Sequence, residues 1–261
     1  MADTMTDADG SSRLRIAFVP GVSPDKWFRI WRERESNAEL VPVPLEDSRE
    51  QRAVIVEGRA DMVLARLPID TTGLHVIPLY AESPVVVAPK GHVVEAADAV
   101  ELADLTNEHL LQHPGAVPEW REVAPDAVVG PGLDALTPRQ LIELVATGAG
   151  IAILPLSVAR QFDRKDVVRR PVLGVAETRV ALCWREGHDD ELTESFIGVV
   201  RGRSAHSTRA RGAVEAQQHA AQKRAAEKKN AARRSAEEMR ERKHAARVAR
   251  RKAGGGKRGR R

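Results

Sequence analysis

Thr137-Pro138-Arg139-Gln140-Leu141-Ile142-Glu143-Leu144-Val145-Ala146-Thr147-Gly148-Ala149-Gly150-Ile151-Ala152-Ile153-Leu154-Pro155 is the stretch on which the fold turns. Threonine followed by proline opens a helix. The threonine oxygen accepts from a free amide of the first turn, and proline at the first helical position forfeits no hydrogen bond. Leu141, Leu144 and Val145 give that helix an apolar face, and Gly148 marks its end. The run Ile151-Ala152-Ile153-Leu154 then has no polar alternation, as expected of a strand buried on both faces. A helix feeding a buried strand across a few residues is the grammar of α/β folds.

The same grammar extends toward the N-terminus. Leu14 to Val19 reads as a short buried strand, broken by Pro20-Gly21, and Ser23-Pro24 announces a helix with Trp27, Phe28, Ile30 and Trp31 on its apolar face. A strand follows at Glu39 to Pro44. Ser48-Arg49-Glu50-Gln51 fits a capping box for a helix that Gly58 closes, and Asp61 to Ala65 is the next strand. Strands and helices alternating this closely predict parallel strands with crossover helices. A second such unit runs from the strand Val85–Ala88 through the Thr137 helix to Ile151–Leu154. Val180 to Trp184 is another strand and Asp190 to Val200 a closing amphipathic helix. The irregular, Pro- and Gly-rich stretch from His113 to Pro138 is a candidate lid or cleft wall.

Charge divides the 261 residues sharply. Residues 203–261 hold 20 Lys and Arg against 5 Glu, whereas residues 1–202 hold 21 basic against 32 acidic residues. Only Val214, Met239 and Val248 are large and apolar in this tail, too few for a core or a coiled-coil seam. The tail is therefore expected to be disordered, or a solitary helix over about residues 213–253 that Gly254-Gly255-Gly256 ends. Its density of positive charge fits a polyanion: DNA, RNA, an acidic protein surface, or the acidic body of the same or a neighbouring chain. For nucleic acid the candidate contacts are Arg250, Arg251, Lys252, Lys257, Arg258, Arg260 and Arg261. Nothing in the tail reads base edges, so such binding is expected to be non-specific and steeply salt-dependent.

Cys183, the single cysteine, lies in an alternating strand-like run and reads as a buried, inert thiol. Residues 1–12 are polar and acidic and read as disordered. No signal-peptide pattern and no apolar run of membrane-spanning length is present, so a soluble, cytoplasmic and membrane-free protein is expected, with nucleoid association if the tail binds DNA.

Several segments together resemble the effector-binding domain of LysR-type transcriptional regulators. They are the Leu14–Val19 strand with its capped helix, Glu57-Gly58-Arg59-Ala60-Asp61 leading to Arg66, Pro84–Pro89 ending in Lys90-Gly91-His92, and above all Leu141–Pro155. The resemblance implies an α/β fold of two Rossmann-like lobes joined by two crossing strands, the type 2 periplasmic-binding-protein fold. Lobe one would be residues 13–88 with 178–202, lobe two 89–177, the whole domain 13–202, and 203–261 the tail. Only twelve residues precede the first strand, so the family's N-terminal winged helix-turn-helix is not expected within this chain.

By the same resemblance, a small effector sits between the lobes. Ser23 and Ser48 would hold an anionic group, a carboxylate for example, and Pro118, Trp120 and Pro155 would line the cleft. The physics agrees, because helix starts after strand ends favour negative charge. Each serine is equally a simple cap. Arg66 is either a cleft cation or a surface residue, and Trp120 either a flat wall or a plug in the core. Glu119 is unfavourable for an anion. Dimerisation, with a second copy or with a full-length LysR regulator, is a further implication, and a stand-alone small-molecule binder of that kind is the alternative reading. No nucleophile elbow, phosphate-binding loop or Cys-x-x-Cys is present, so neither enzymatic activity nor a cofactor is expected. His109 and His113, if on a strand, stand about 13 Å apart and do not suit one metal ion.

Overall fold

The computed structural model describes residues 12–35, 37–126 and 132–202. The expectations for residues 1–11, for the basic tail and for part of the 113–138 stretch lie outside the described residues. The chain runs β1 (Ser12–Phe18), α1 (Asp25–Arg34), β2 (Ala38–Pro44), α2 (Ala53–Val56), β3 (Met62–Arg66), β4 (Leu74–Glu82), β5 (Pro84–Pro89) and β6 (Val100–Glu101). It continues through α3 (Trp120–Val123), α4 (Pro138–Ala146), β7 (Ala152–Pro155), α5 (Leu156–Gln161), β8 (Val167–Leu173), β9 (Thr178–Arg185) and α6 (Glu191–Val200).

Two sheets result, ordered β2-β1-β3-β9-β4 and β6-β8-β5-β7. The predicted parallel βαβαβ unit is present: β1 pairs in parallel with both β2 and β3. Its core is built by Leu14, Ile16, Phe28, Trp31, Ile55, Met62 and Leu64, closed from outside by Phe196 of α6, whose ring meets Trp31 edge-on at 5.8 Å. The strand read from Val180 to Trp184 enters this sheet as β9, antiparallel to β3 and β4, and carries Cys183 fully buried.

The second sheet differs from the expected parallel unit. β5 and β7 are antiparallel, Val85 facing Leu154. The parallel neighbour of β7 is instead the segment around Leu110, which bridges Ile151. Gln112 extends that pairing with its side chain, accepting from the Ile153 amide at 2.8 Å and donating to its carbonyl at 2.9 Å. The crossover unit of this lobe is therefore residues 110–112, α4 and β7. An apolar core fills each face of the sheet, one around Trp120, Ile151 and Leu105, the other around Ile142, Val145 and Leu111.

Ser83 alone separates β4 from β5, and residues 174–177 separate β8 from β9, so two short crossings join the lobes; because β5 pairs with β7 and β8, lobe one ends at Ser83 and not at the expected residue 88. The Ser83 hydroxyl donates to Glu177 at 3.3 Å, tying one crossing to the other.

The Thr137 capping box is formed, the hydroxyl accepting from Gln140 N and the Gln140 side chain accepting from Thr137 N. At α1, however, Pro24 occupies the cap position and Ser23 makes no cap bond; the Pro24 carbonyl takes the amides of Trp27 and Phe28. Ser48 is likewise not the cap. Asp47 takes that place, accepting from the Arg49 amide, and opens a 3-10 turn over Ser48–Glu50. Gln51 cannot complete a box with Ser48 because its amide is committed to Arg66 N and O.

Candidate functional site

The carboxyl ends of β2, β1 and β3 lie side by side, about 4.8 Å per strand, because the three strands are adjacent and parallel. Each strand end passes into a polar group that meets the second lobe.

Arg66 ends β3 with its side chain only 11% exposed. Gln51 fixes its backbone on both sides. The guanidinium donates through Nη2 to Glu82 at 2.7 Å, through Nη1 to the Pro20 carbonyl at 3.0 Å, and toward Ser157 Oγ of lobe two at 3.5 Å. Glu82, at the end of β4 and 6% exposed, neutralises it. A charge pair taken out of water repays its desolvation better when further hydrogen bonds are made, and the Pro20 carbonyl supplies one to the Arg66 guanidinium. Burial pushes the hydroxyl of nearby Tyr80 up to about 12, with the Glu82 charge adding and the Arg66 charge opposing.

Beyond β1, Gly21 has φ +88°, and its amide donates to Gln161 Oε1 on α5. A Cβ at Gly21 would collide with Ser157 Oγ and stand 2.8 Å from the Val158 amide nitrogen, so only glycine permits this approach. Beyond β2, Arg49 donates to the carbonyls of Asp134, Ala135 at 3.0 Å and Leu136 at 3.4 Å, on the turn before α4. Asp47 holds the same guanidinium at 2.6 Å. Burial opposes ionisation of the Asp47 carboxyl, but its three interactions with Arg49 outweigh burial and hold it below the usual carboxylate range. The reciprocal hydrogen bond raises Arg49.

Of the residues expected in the cleft, Arg66 is at the junction and is paired with Glu82 rather than free. Pro155 stands half-buried where β7 meets α5, opposite Pro84 in the ladder. Ser23 and Pro118 are exposed and Ser48 half-buried, and the Arg66 guanidinium bonds to Glu82, Pro20 and Ser157 instead. Trp120 is fully buried in the core of lobe two, its indole N–H without a partner, which corresponds to the plug rather than the wall. Glu119 accepts from the Ala176 amide at 3.0 Å, tying it to a crossing strand. Arg49, Gln51, Glu82 and Gln161 were not singled out from the sequence. Arg49 and Gln51 were absorbed into an apparent capping box, and nothing local marks Glu82 or Gln161. Among the described residues no three His, Cys, Asp or Glu side chains gather as a metal site.

The chain is 28% identical over 207 residues to the HTH-type transcriptional regulator MetR of Escherichia coli (strain K12), covering 73% of this chain and 62% of MetR. The chain thus spans less than two thirds of that regulator. The fold matches the BenM effector binding domain with its effector benzoate, with a TM-score of 0.58 at 20% identity over 73% of this chain and 90% of that one. It also matches the reduced OxyR regulatory domain from Pseudomonas aeruginosa, with a TM-score of 0.56 at 18% identity over 73% and 95%. The architecture is the LysR effector-binding form of the type 2 periplasmic-binding-protein fold. The family model for the LysR substrate binding domain matches residues 7–205, and the chain belongs to that family.

Proposed function

We propose that this chain binds a small effector between its lobes and serves transcriptional regulation through the change in lobe geometry that binding produces. The observation that carries the reading is Arg66, which reaches from the end of β3 to Ser157 of the other lobe. A ligand at that point touches both lobes at once, as a switch requires. The favoured ligand is a small carboxylate, in keeping with the benzoate held by BenM. Its charge competes with Glu82 for Arg66, with Ser157, Pro155, Ser23, Ser48 and Pro118 as the candidate surroundings. Trp120 supports the lobe from beneath.

A thermal-shift series with benzoate and other small carboxylates tests this. Binding to the folded state alone raises the melting temperature with concentration, by mass action. At least one carboxylate should do so, and Ser157→Ala should reduce the rise. A panel that leaves the melting temperature unmoved up to saturating concentrations contradicts the reading.

The tail supports a second, compatible role. Its 20 basic against 5 acidic residues favour non-specific association with nucleic acid through Arg250, Arg251, Lys252, Lys257, Arg258, Arg260 and Arg261. Gel shifts over a salt series, comparing the full chain with one ending at Gly202, should show binding by the full chain alone, falling steeply with salt. Equal binding by both removes the tail from this role. A binder that pairs with a second copy or with a longer LysR regulator, without touching nucleic acid, is the alternative, and co-purification with such a regulator would favour it.

A further inference from the structure

Three neighbouring strand ends of lobe one each send a bond to lobe two: Arg49 after β2, Gly21 after β1 and Arg66 at the end of β3. The three contacts are not equal. The Arg66 bond to Ser157 is long at 3.5 Å, and that guanidinium is already satisfied by Glu82 and the Pro20 carbonyl. Gly21 offers one amide. Arg49 spans three consecutive carbonyls of the 134–136 turn. Its charge strengthens each bond, and the planar fork of donors suits a fan of acceptors in a way that a lysine does not. Its aim is set from within lobe one by Asp47, which also caps the turn that carries Arg49. A long cation whose side chain is 54% exposed would ordinarily be solvated on its own lobe, yet this one is turned to backbone acceptors 85 to 87 residues away.

We propose that Arg49 is an inter-lobe clasp: with Asp47 as its anchor it grips the 134–136 turn, and the cleft opens only when that grip is released. Because the grip is on backbone carbonyls, its strength depends on Arg49 and Asp47 and not on the side chains at 134–136. The turn leads directly into the Thr137 cap and α4, so release at Arg49 frees the start of α4 to move with its lobe. Gly21 sets the fit beside it, because any side chain there would wedge against Ser157.

The test needs no ligand, so its failure is separable from failure of the effector reading. Spin labels at Glu33→Cys and Glu143→Cys, exposed positions on α1 and α4, report the inter-lobe distance in the full chain by pulsed electron resonance, while Cys183 is buried away from the label. The parent should give a single narrow distance. Arg49→Ala should add a longer, broader population, and Arg49→Lys should fall between. Asp47→Asn should loosen the clasp in the same direction, more weakly. Far-UV circular dichroism of each variant checks that the lobes remain folded. Should Arg49→Ala not fold, Arg49→Lys carries the decision by the same measurement. A distance distribution in a folded Arg49 variant that superposes on the parent overturns the proposal.

Discussion

At the scale of the residue, the Arg66–Glu82 pair has the clearest energetic consequence. Both side chains are nearly out of water, so removing one leaves the other charged and unpaired. Arg66→Ala should lower the unfolding free energy by about 3 kcal/mol. The double replacement Arg66→Met with Glu82→Leu should recover most of that loss, because the uncompensated charge is gone. Urea unfolding of the three proteins decides it; equal losses in the single and double variants would mean that the pair does not act as a unit. Sequence reading identified Arg66 from its place after a strand but left open what it faced. Its partner is 16 residues away on β4, a strand that the sequence did not announce because Leu74–Glu82 is only intermittently buried. The same blindness to tertiary partners left Trp120 undecided between wall and plug, which only its burial beside Ile151 and Leu105 resolved.

At the scale of the element, three short signals looked alike in the sequence and turned out differently. Thr137-Pro138 caps its helix as expected, and Gln140 adds a box by accepting from the Thr137 amide. Ser48-Arg49-Glu50-Gln51 likewise sets a hydroxyl three residues before a glutamine, but Gln51 bonds the end of β3, leaving Asp47 to cap. Ser23 loses its cap to Pro24, whose carbonyl takes the amides of Trp27 and Phe28. The strand pairing of lobe two was misread for a related reason: Val85–Ala88 and Ile151–Leu154 both show the apolar run of a buried strand, and that pattern carries no direction.

The Asp47–Arg49 element also carries a pH signature. The folded-state carboxyl is held below its ordinary value of 3.8, so its stabilisation is fully present above that value. It is lost as the pH falls through the lowered value, where native and unfolded forms both protonate. The melting temperature of the parent should therefore exceed that of Asp47→Asn at neutral pH, with the gap closing in acid. Asparagine still caps a helical turn, so the variant isolates the charge. A gap that stays constant with pH would remove the ionised carboxylate as its cause.

At the scale of the whole molecule, each lobe has its own apolar interior and the chain passes between them only twice, which makes relative motion the natural functional coordinate. The family and its two-lobed plan were legible because they are written in ordered local motifs, from Leu14–Val19 to Leu141–Pro155. The cleft was legible only at its landmarks. Contacts such as Gly21 with Gln161 join residues 140 positions apart, and no periodicity records them.

Binding between the lobes can be read by hydrogen–deuterium exchange with the carboxylate that gives the largest thermal shift. Exchange should slow at amides around Gly21, Ser48 and Ser157, in both lobes together. Slowed exchange confined to one lobe, or located away from these strand ends, would contradict it.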